Sequence, residues 1–193
     1  MYEFYGIYAS CRDAAWRFLI DFDVTELPIK LVVAANRAGI RVIRNSKVSE
    51  LHDGERGASI YMPDKQWLIV YDDTLPIDEA RMVIAHELGH ILLGHEYKYG
   101  DSRFPGGKSK LKSEREADMF AVRILAPACI LHEARLLDGD KIAEACMIPK
   151  AIANARAKRM GVLETRNMFY KSELESQVRD KFKDYIETAS NKK

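Results

Sequence analysis

The chain has 193 residues, 30 Lys and Arg against 29 Asp and Glu, a formal net charge of +1, and 47% hydrophobic residues. That length can bury one core without staples, which fits one domain or one domain with a small appendage. The near-zero charge gives no global field to draw in nucleic acid or acidic membranes. Three cysteines without metal spacing argue against a disulfide framework or a CxxC site.

Cys11, Cys129 and Cys146 read as free, mostly buried thiols of a reducing compartment. Residues 1–10 carry Glu3 and polar side chains rather than a basic region followed by an apolar run, so no signal peptide is expected. No stretch approaches 18 apolar residues, so no membrane span is expected. A cytoplasmic protein follows as the expectation.

In chain order, residues 10–20 read as a short helix. Pro28 opens a second helix over Ile29–Ala38, with Gly39 as its C′ residue. Ile40–Arg44 reads as a strand. Ala58–Met62 and Gln66–Tyr71 are β-rich runs joined by the turn Pro63-Asp64-Lys65. Together they predict a small antiparallel sheet of about three strands. Ala58–Met62 is the expected edge strand to which an extended substrate would add. Asp78 and Glu79 open the next helix, acids at its positive end.

That helix carries His86-Glu87-Leu88-Gly89-His90 inside an otherwise apolar run. His86 and His90 are four apart and share a face, with Cβ atoms about 5–6 Å apart. Both imidazoles can reach one zinc ion at about 2.0–2.1 Å. Glu87, one position round, is placed to take a proton from a water at the metal. An apolar helix needs such a partner for its polar side chains, since an unpaired buried polar group costs on the order of 1–3 kcal/mol. Gly89 costs near 1 kcal/mol relative to Ala in a helix, which suggests that another element or substrate approaches there. His95, two and a half turns beyond His86, would face away on a straight helix.

A catalytic zinc takes three protein ligands and leaves one position for water. The third is expected from the helix Ser113–Leu125, which stops before Pro127, with Ser113 as N-cap and Glu116 at the capping-box position. Glu114 and Asp118 share a face. Glu114 is the expected ligand, and Asp118 the group that accepts the second ring N–H of a ligand histidine. Glu96–Lys112, with Gly100, Pro105, Gly106 and Gly107, lies between the two ligand helices and reads as a loop with the option of acting as a lid. An oxyanion donor is not identified, and His95, Tyr97 and Tyr99 are candidates by proximity only.

Further on, residues 141–160 have a helix–turn–helix rhythm with a turn at Met147-Ile148-Pro149 and Arg156, Lys158 and Arg159 on the second helix. Such pairs more often pack than bind DNA, and direct DNA binding is not expected. From Ser172 an amphipathic helix is expected, with Leu174, Val178, Phe182 and Tyr185 on one stripe.

These motifs resemble the ImmA/IrrE family of zinc metallopeptidases. The likeness rests on Ala85–His90 with its apolar extension to His95, on Glu114-x-x-Ala117-x-x-Phe120-Ala121, on Leu125-Ala126-Pro127, and on the strands Ala58–Tyr61 and Trp67–Tyr71. The resemblance implies an α+β fold, a reduced thermolysin-like core with a C-terminal helical cap. Residues 1–135 would form the catalytic core and 136–193 the cap. It implies one catalytic zinc on His86, His90 and Glu114, with Glu87 as base. It also implies a protein substrate, a helix-turn-helix transcriptional repressor whose cleavage derepresses genes. The rival expectation is a zinc-binding regulator that sequesters a repressor without hydrolysis.

Overall fold

The computed structural model describes residues 2–95 and 108–191, with side chains described for 11–95 and 111–189. Helix α1 (Tyr2–Asp21) begins earlier than residue 10, and α2 is Leu31–Arg37, with Gly39 at φ 75° beyond its end. Strand β1 (Ile40–Arg44) leads through a 3-10 turn (Asn45–Lys47) to β2 (Gly57–Tyr61) and β3 (Trp67–Tyr71). The turn between β2 and β3 closes where the Met62 N–H donates to Gln66 O and the Lys65 N–H, at φ 63°, donates to Met62 O.

The sheet has the expected three strands, but its order is β1-β3-β2 and it is mixed. β2 pairs antiparallel with β3, whereas β1 pairs parallel with β3 from Ile40↔Trp67 to Arg44↔Tyr71. This corrects the all-antiparallel expectation. The connection over 45–56 returns the chain one strand-width away from β1, and β3 inserts into the gap. Period-2 alternation then sorts the side chains. Ala58, Ile60, Leu68 and Val70 form a small cluster on one face, while Ile69 joins the main core on the other.

Helix α3 (Ile77–Leu92) lies against β2 and β3, and α4 (Lys108–Leu125) packs along it. α4 therefore starts upstream of the expected Ser113. Ser113 and Glu116 lie within the helix and do not form its capping box, because residues 108–112 hold no breaker to stop it. Residues 96–107 of the expected loop and lid lie outside the described residues.

Beyond Pro127 come α5 (Ala128–Glu133), α6 (Gly139–Cys146) and α7 (Lys150–Thr165). α6 is capped by Asp138, which accepts from the Lys141 N–H at 2.8 Å, and ends in a left-handed residue, Met147. α6 and α7 form the expected packed pair. The tail is two helices, α8 (Glu173–Lys181) and α9 (Lys183–Asn191), broken at Phe182. Its stripe packs inward. Val178 and Phe182 are fully buried, and Leu174 and Tyr185 lean on the same core.

The larger core cluster gathers side chains from Ala15 in α1 to Phe182, with Leu88, Phe120, Ile124 and Leu131 among its fully buried members. Two arginines stitch its parts together through backbone carbonyls. Arg81 of α3 donates to Ile29 O, Cys146 O and Met147 O at 2.9–3.1 Å. Arg156 of α7, 8% exposed, donates twice to Ala126 O at the end of α4, at 2.8 and 2.6 Å. A cation at a helix C-terminus is favourable against the carbonyl dipoles. Arg156 is thus a buried clasp between α4 and α7 and not a surface cation. No helix among the described residues is long and apolar enough to cross a membrane.

Candidate metal centre

The site is made by α3 and α4 coming unusually close. Gly89 allows it: a Cβ there would lie 3.1 Å from Ala117 Cα and 3.1 Å from Phe120 Cδ1. The expected close approach at Gly89 is therefore to a neighbouring helix. With Gly89 against Ala117, Glu114, one turn back along α4, faces the two histidines of α3.

His86 Nε2 and His90 Nε2 are 3.0 Å apart. Glu114 Oε2 is 3.3 Å from His86 Nε2, and Glu114 Oε1 is 3.7 Å from His90 Nε2. Tetrahedral ligand atoms at about 2.0–2.1 Å from zinc lie roughly 3.3 Å apart. The three separations bracket that value, and His86, His90 and Glu114 are the one such cluster among the described residues. Two imidazoles and a carboxylate are also a donor set suited to a catalytic zinc with an open fourth position.

Each histidine is held from behind. His86 Nδ1 lies 2.8 Å from Asp118 Oδ1, where the sequence placed Asp118. Burial works to lower the His86 pKa. The Asp118 hydrogen bond and the charges of Glu87, Asp118 and Glu114 outweigh it and raise the pKa above its ordinary value. A protonated His86 cannot ligate, so acid competes with metal here.

His90, almost fully buried, has a partner the sequence reading missed. α3 ends in a Schellman turn: the His95 N–H donates to His90 O at 3.1 Å and the Gly94 N–H to Ile91 O at 3.2 Å, with Gly94 at φ 66°. The chain reverses, so the straight-helix argument that sent His95 to the opposite face fails. His95 Nδ1 sits 2.9 Å from His90 Nδ1, and its Nε2 sits 3.1 Å from Glu116 Oε2. Burial lowers the His95 pKa despite Glu116, which favours the neutral ring. A neutral His95 that donates from Nε2 to Glu116 must accept at Nδ1. It then fixes the proton of His90 on Nδ1 and frees Nε2 for metal. Glu116 is therefore neither a cap nor an exposed charge. His95 stands behind His90, a candidate ligand, and not over the pocket as an oxyanion donor. Tyr97 and Tyr99 lie outside the described residues.

Glu87 faces β2. Ser59 Oγ donates to Glu87 Oε2 at 2.7 Å and lies 3.0 Å from Glu87 O. Burial raises the Glu87 carboxyl above the usual carboxylate range, and the Ser59 hydrogen bond pulls it partly back. The sequence signal for Ser59 was available: it is the polar residue between Ala58 and Ile60, so it must face opposite to them. Gly57 brings β2 in. A Cβ there would fall 2.3 Å from Val83 Cγ1 and 3.3 Å from Glu87 Cγ. β2 is an edge strand, as expected, and beside it lies a hollow of about 320 Å³ walled by Gly57, Val83, His86, Glu87 and Asp118.

No curated protein matches the chain. A family model described as Peptidase_M78, IrrE N-terminal-like domain, matches residues 35–183. The match runs from within α2 to the start of α9 and includes His86, Glu87, His90, Glu114 and Asp118. More than three quarters of the sequence is covered, so the chain belongs to the Peptidase_M78 family and carries a zinc-metallopeptidase-type domain.

Proposed function

We propose that this protein is a zinc-dependent endopeptidase of a reducing, cytoplasmic compartment that cuts a helix-turn-helix transcriptional repressor. The observation that carries the peptidase reading is the convergence of His86, His90 and Glu114 on one point, with Glu87 lining the same hollow as His86. The repressor as substrate rests on the family resemblance read from the sequence. The compartment is supported by three free, buried cysteines.

Zinc on these ligands supplies Lewis acidity toward water and the scissile carbonyl. The residues do the rest. Asp118 and His95 hold the two imidazoles in the tautomers that present Nε2. Ser59 pins one oxygen of Glu87, leaving the other to take the proton of the attacking water and return it to the leaving amine. A carboxyl raised by burial suits this role, because a base works best with a pKa near the working pH. The free edge of β2 offers main-chain hydrogen bonds that align an extended substrate.

The test is incubation of zinc-loaded wild type and Glu87→Gln with candidate repressors, followed by mass spectrometry of the fragments. Fragments from the wild type only, with a rate loss of at least about 10²–10⁴-fold in the variant, are expected. Repressor antagonism that survives Glu87→Gln and is lost in His86→Ala would instead make the protein a non-hydrolytic regulator.

A further inference from the structure

Away from the candidate metal site, α4 and α7 flank a groove of about 610 Å³. Its walls are apolar, with Met119 and Val122 from α4 and Ile152 and Leu163 from α7. It adjoins a recess of about 150 Å³ beside Trp16 and Phe169. Around this apolar floor stand Arg123, Arg159 and Arg166. Arg159 and Arg166 are exposed and form no ion pair among the described residues. In a chain of net charge +1, that is a local excess of one sign. Asp118 lines both this groove and the hollow at the candidate metal site.

We propose that this groove is the exosite that selects the substrate, seating an acidic segment of the target protein whose apolar side chains fill the floor while its carboxylates meet Arg159 and Arg166. The proposal rests on the peptidase reading above for the identity of its occupant as substrate. The chemistry favours protein over nucleic acid. Concave apolar walls suit aliphatic and aromatic anchors, whereas nucleic-acid surfaces are dominated by contacts to phosphate. Guanidinium groups on the rim suit carboxylates because they bind them in a bidentate way.

The test uses zinc-loaded Glu87→Gln protein and two fluorescein-labelled peptides of equal length. One has Leu and Phe anchors among Asp and Glu, and the other has the same anchors among Lys. The acidic peptide should bind at least tenfold tighter by fluorescence anisotropy. Arg159→Glu with Arg166→Glu should weaken it at least tenfold, and Arg159→Gln with Arg166→Gln by less, at unchanged zinc content and melting temperature. Equal binding of both peptides overturns the proposal. So does tighter binding of a single-stranded oligonucleotide than of the acidic peptide. A cleavage arm, in which active wild type digests a proteome-derived peptide library, separates this claim from the one beneath it. Cleavage enriched for nearby Asp and Glu, lost on charge reversal, supports the exosite. Cleavage without that bias refutes the exosite and leaves the peptidase standing. No cleavage, with acidic-peptide binding intact, refutes the peptidase reading and leaves the groove as a docking site.

Discussion

His90 shows how much of this site is decided behind the ligands. Its Nε2 can face metal only if its proton sits on Nδ1, and His95, backed by Glu116, is the group that holds it there. Outer partners of this kind typically contribute 10–100-fold in metal affinity. His95→Ala should therefore weaken zinc binding by about that factor in a chelator competition, with Glu116→Gln in the same direction. Glu87 is set by a similar balance. Burial raises its pKa and Ser59 lowers it. Removing a hydrogen bond to the carboxylate form raises the pKa further. Ser59→Ala should thus move the acid limb of the kcat/KM profile to higher pH, and Ser59→Thr should restore it. The pairings within each helix, His86 with His90 and Glu114 with Asp118, were legible in the sequence because helical spacing puts each pair on one face; their meeting across α3 and α4 depends on the close approach at Gly89. His95 and Glu116 were not, since their meeting depends on a Schellman turn that reverses the chain after Leu93. An angular argument that assumes a straight helix cannot see that.

At the scale of elements, the two ligand helices and their neighbours are fixed by a few close approaches. Gly89 against Ala117 sets the α3–α4 distance, and Gly57 against Val83 sets β2 over Glu87. Arg81 ties α3 to the end of α6 through the carbonyls of Cys146 and Met147, and to the segment before α2 through that of Ile29. Arg81→Met keeps the stem but leaves those carbonyls without their charged donor. With roughly 1.5–3 kcal/mol for a hydrogen bond to a charged group, discounted for partial exposure, the cost should be about 2–4 kcal/mol in urea unfolding. A loss within experimental error would show that the clasp contributes nothing. Element types were readable from periodicity and turn residues: β1 and the hairpin fell where alternation put them. The parallel pairing of β1 was not, because alternation within a strand carries no information on its neighbour's direction. The early start of α4 was missed because Ser113 looked like a cap, while nothing in residues 108–112 actually stops a helix.

For the whole molecule, folding and metal binding should be coupled. Glu114 and Asp118 stand against His86, Glu114 also against His90, and the charges of Glu87 and Glu114 act on each other, so a cation there relieves their mutual repulsion. A ligand that binds only the folded state at 100 times its Kd adds about 2.7 kcal/mol. For a chain of this size that corresponds to roughly 5–10 °C in Tm. Zinc added to chelator-treated protein should give a shift of that order, and Glu114→Ala should abolish it. The cysteines should be silent throughout. Burial pushes the thiols of Cys129 and Cys146 up to about 12 and raises that of Cys11, so none should react with iodoacetamide in the native state.

The central claim is that His86, His90 and Glu114 hold one zinc for which Glu87 is the base, not a ligand. Zinc stoichiometry after exhaustive dialysis, measured alongside peptide hydrolysis, tests it most directly. The account predicts one zinc per chain in the wild type and in Glu87→Gln, little or none in His90→Ala and Glu114→Ala, and hydrolysis in the wild type alone. Full zinc occupancy in Glu114→Ala, or hydrolysis by Glu87→Gln at the wild-type rate, would contradict it.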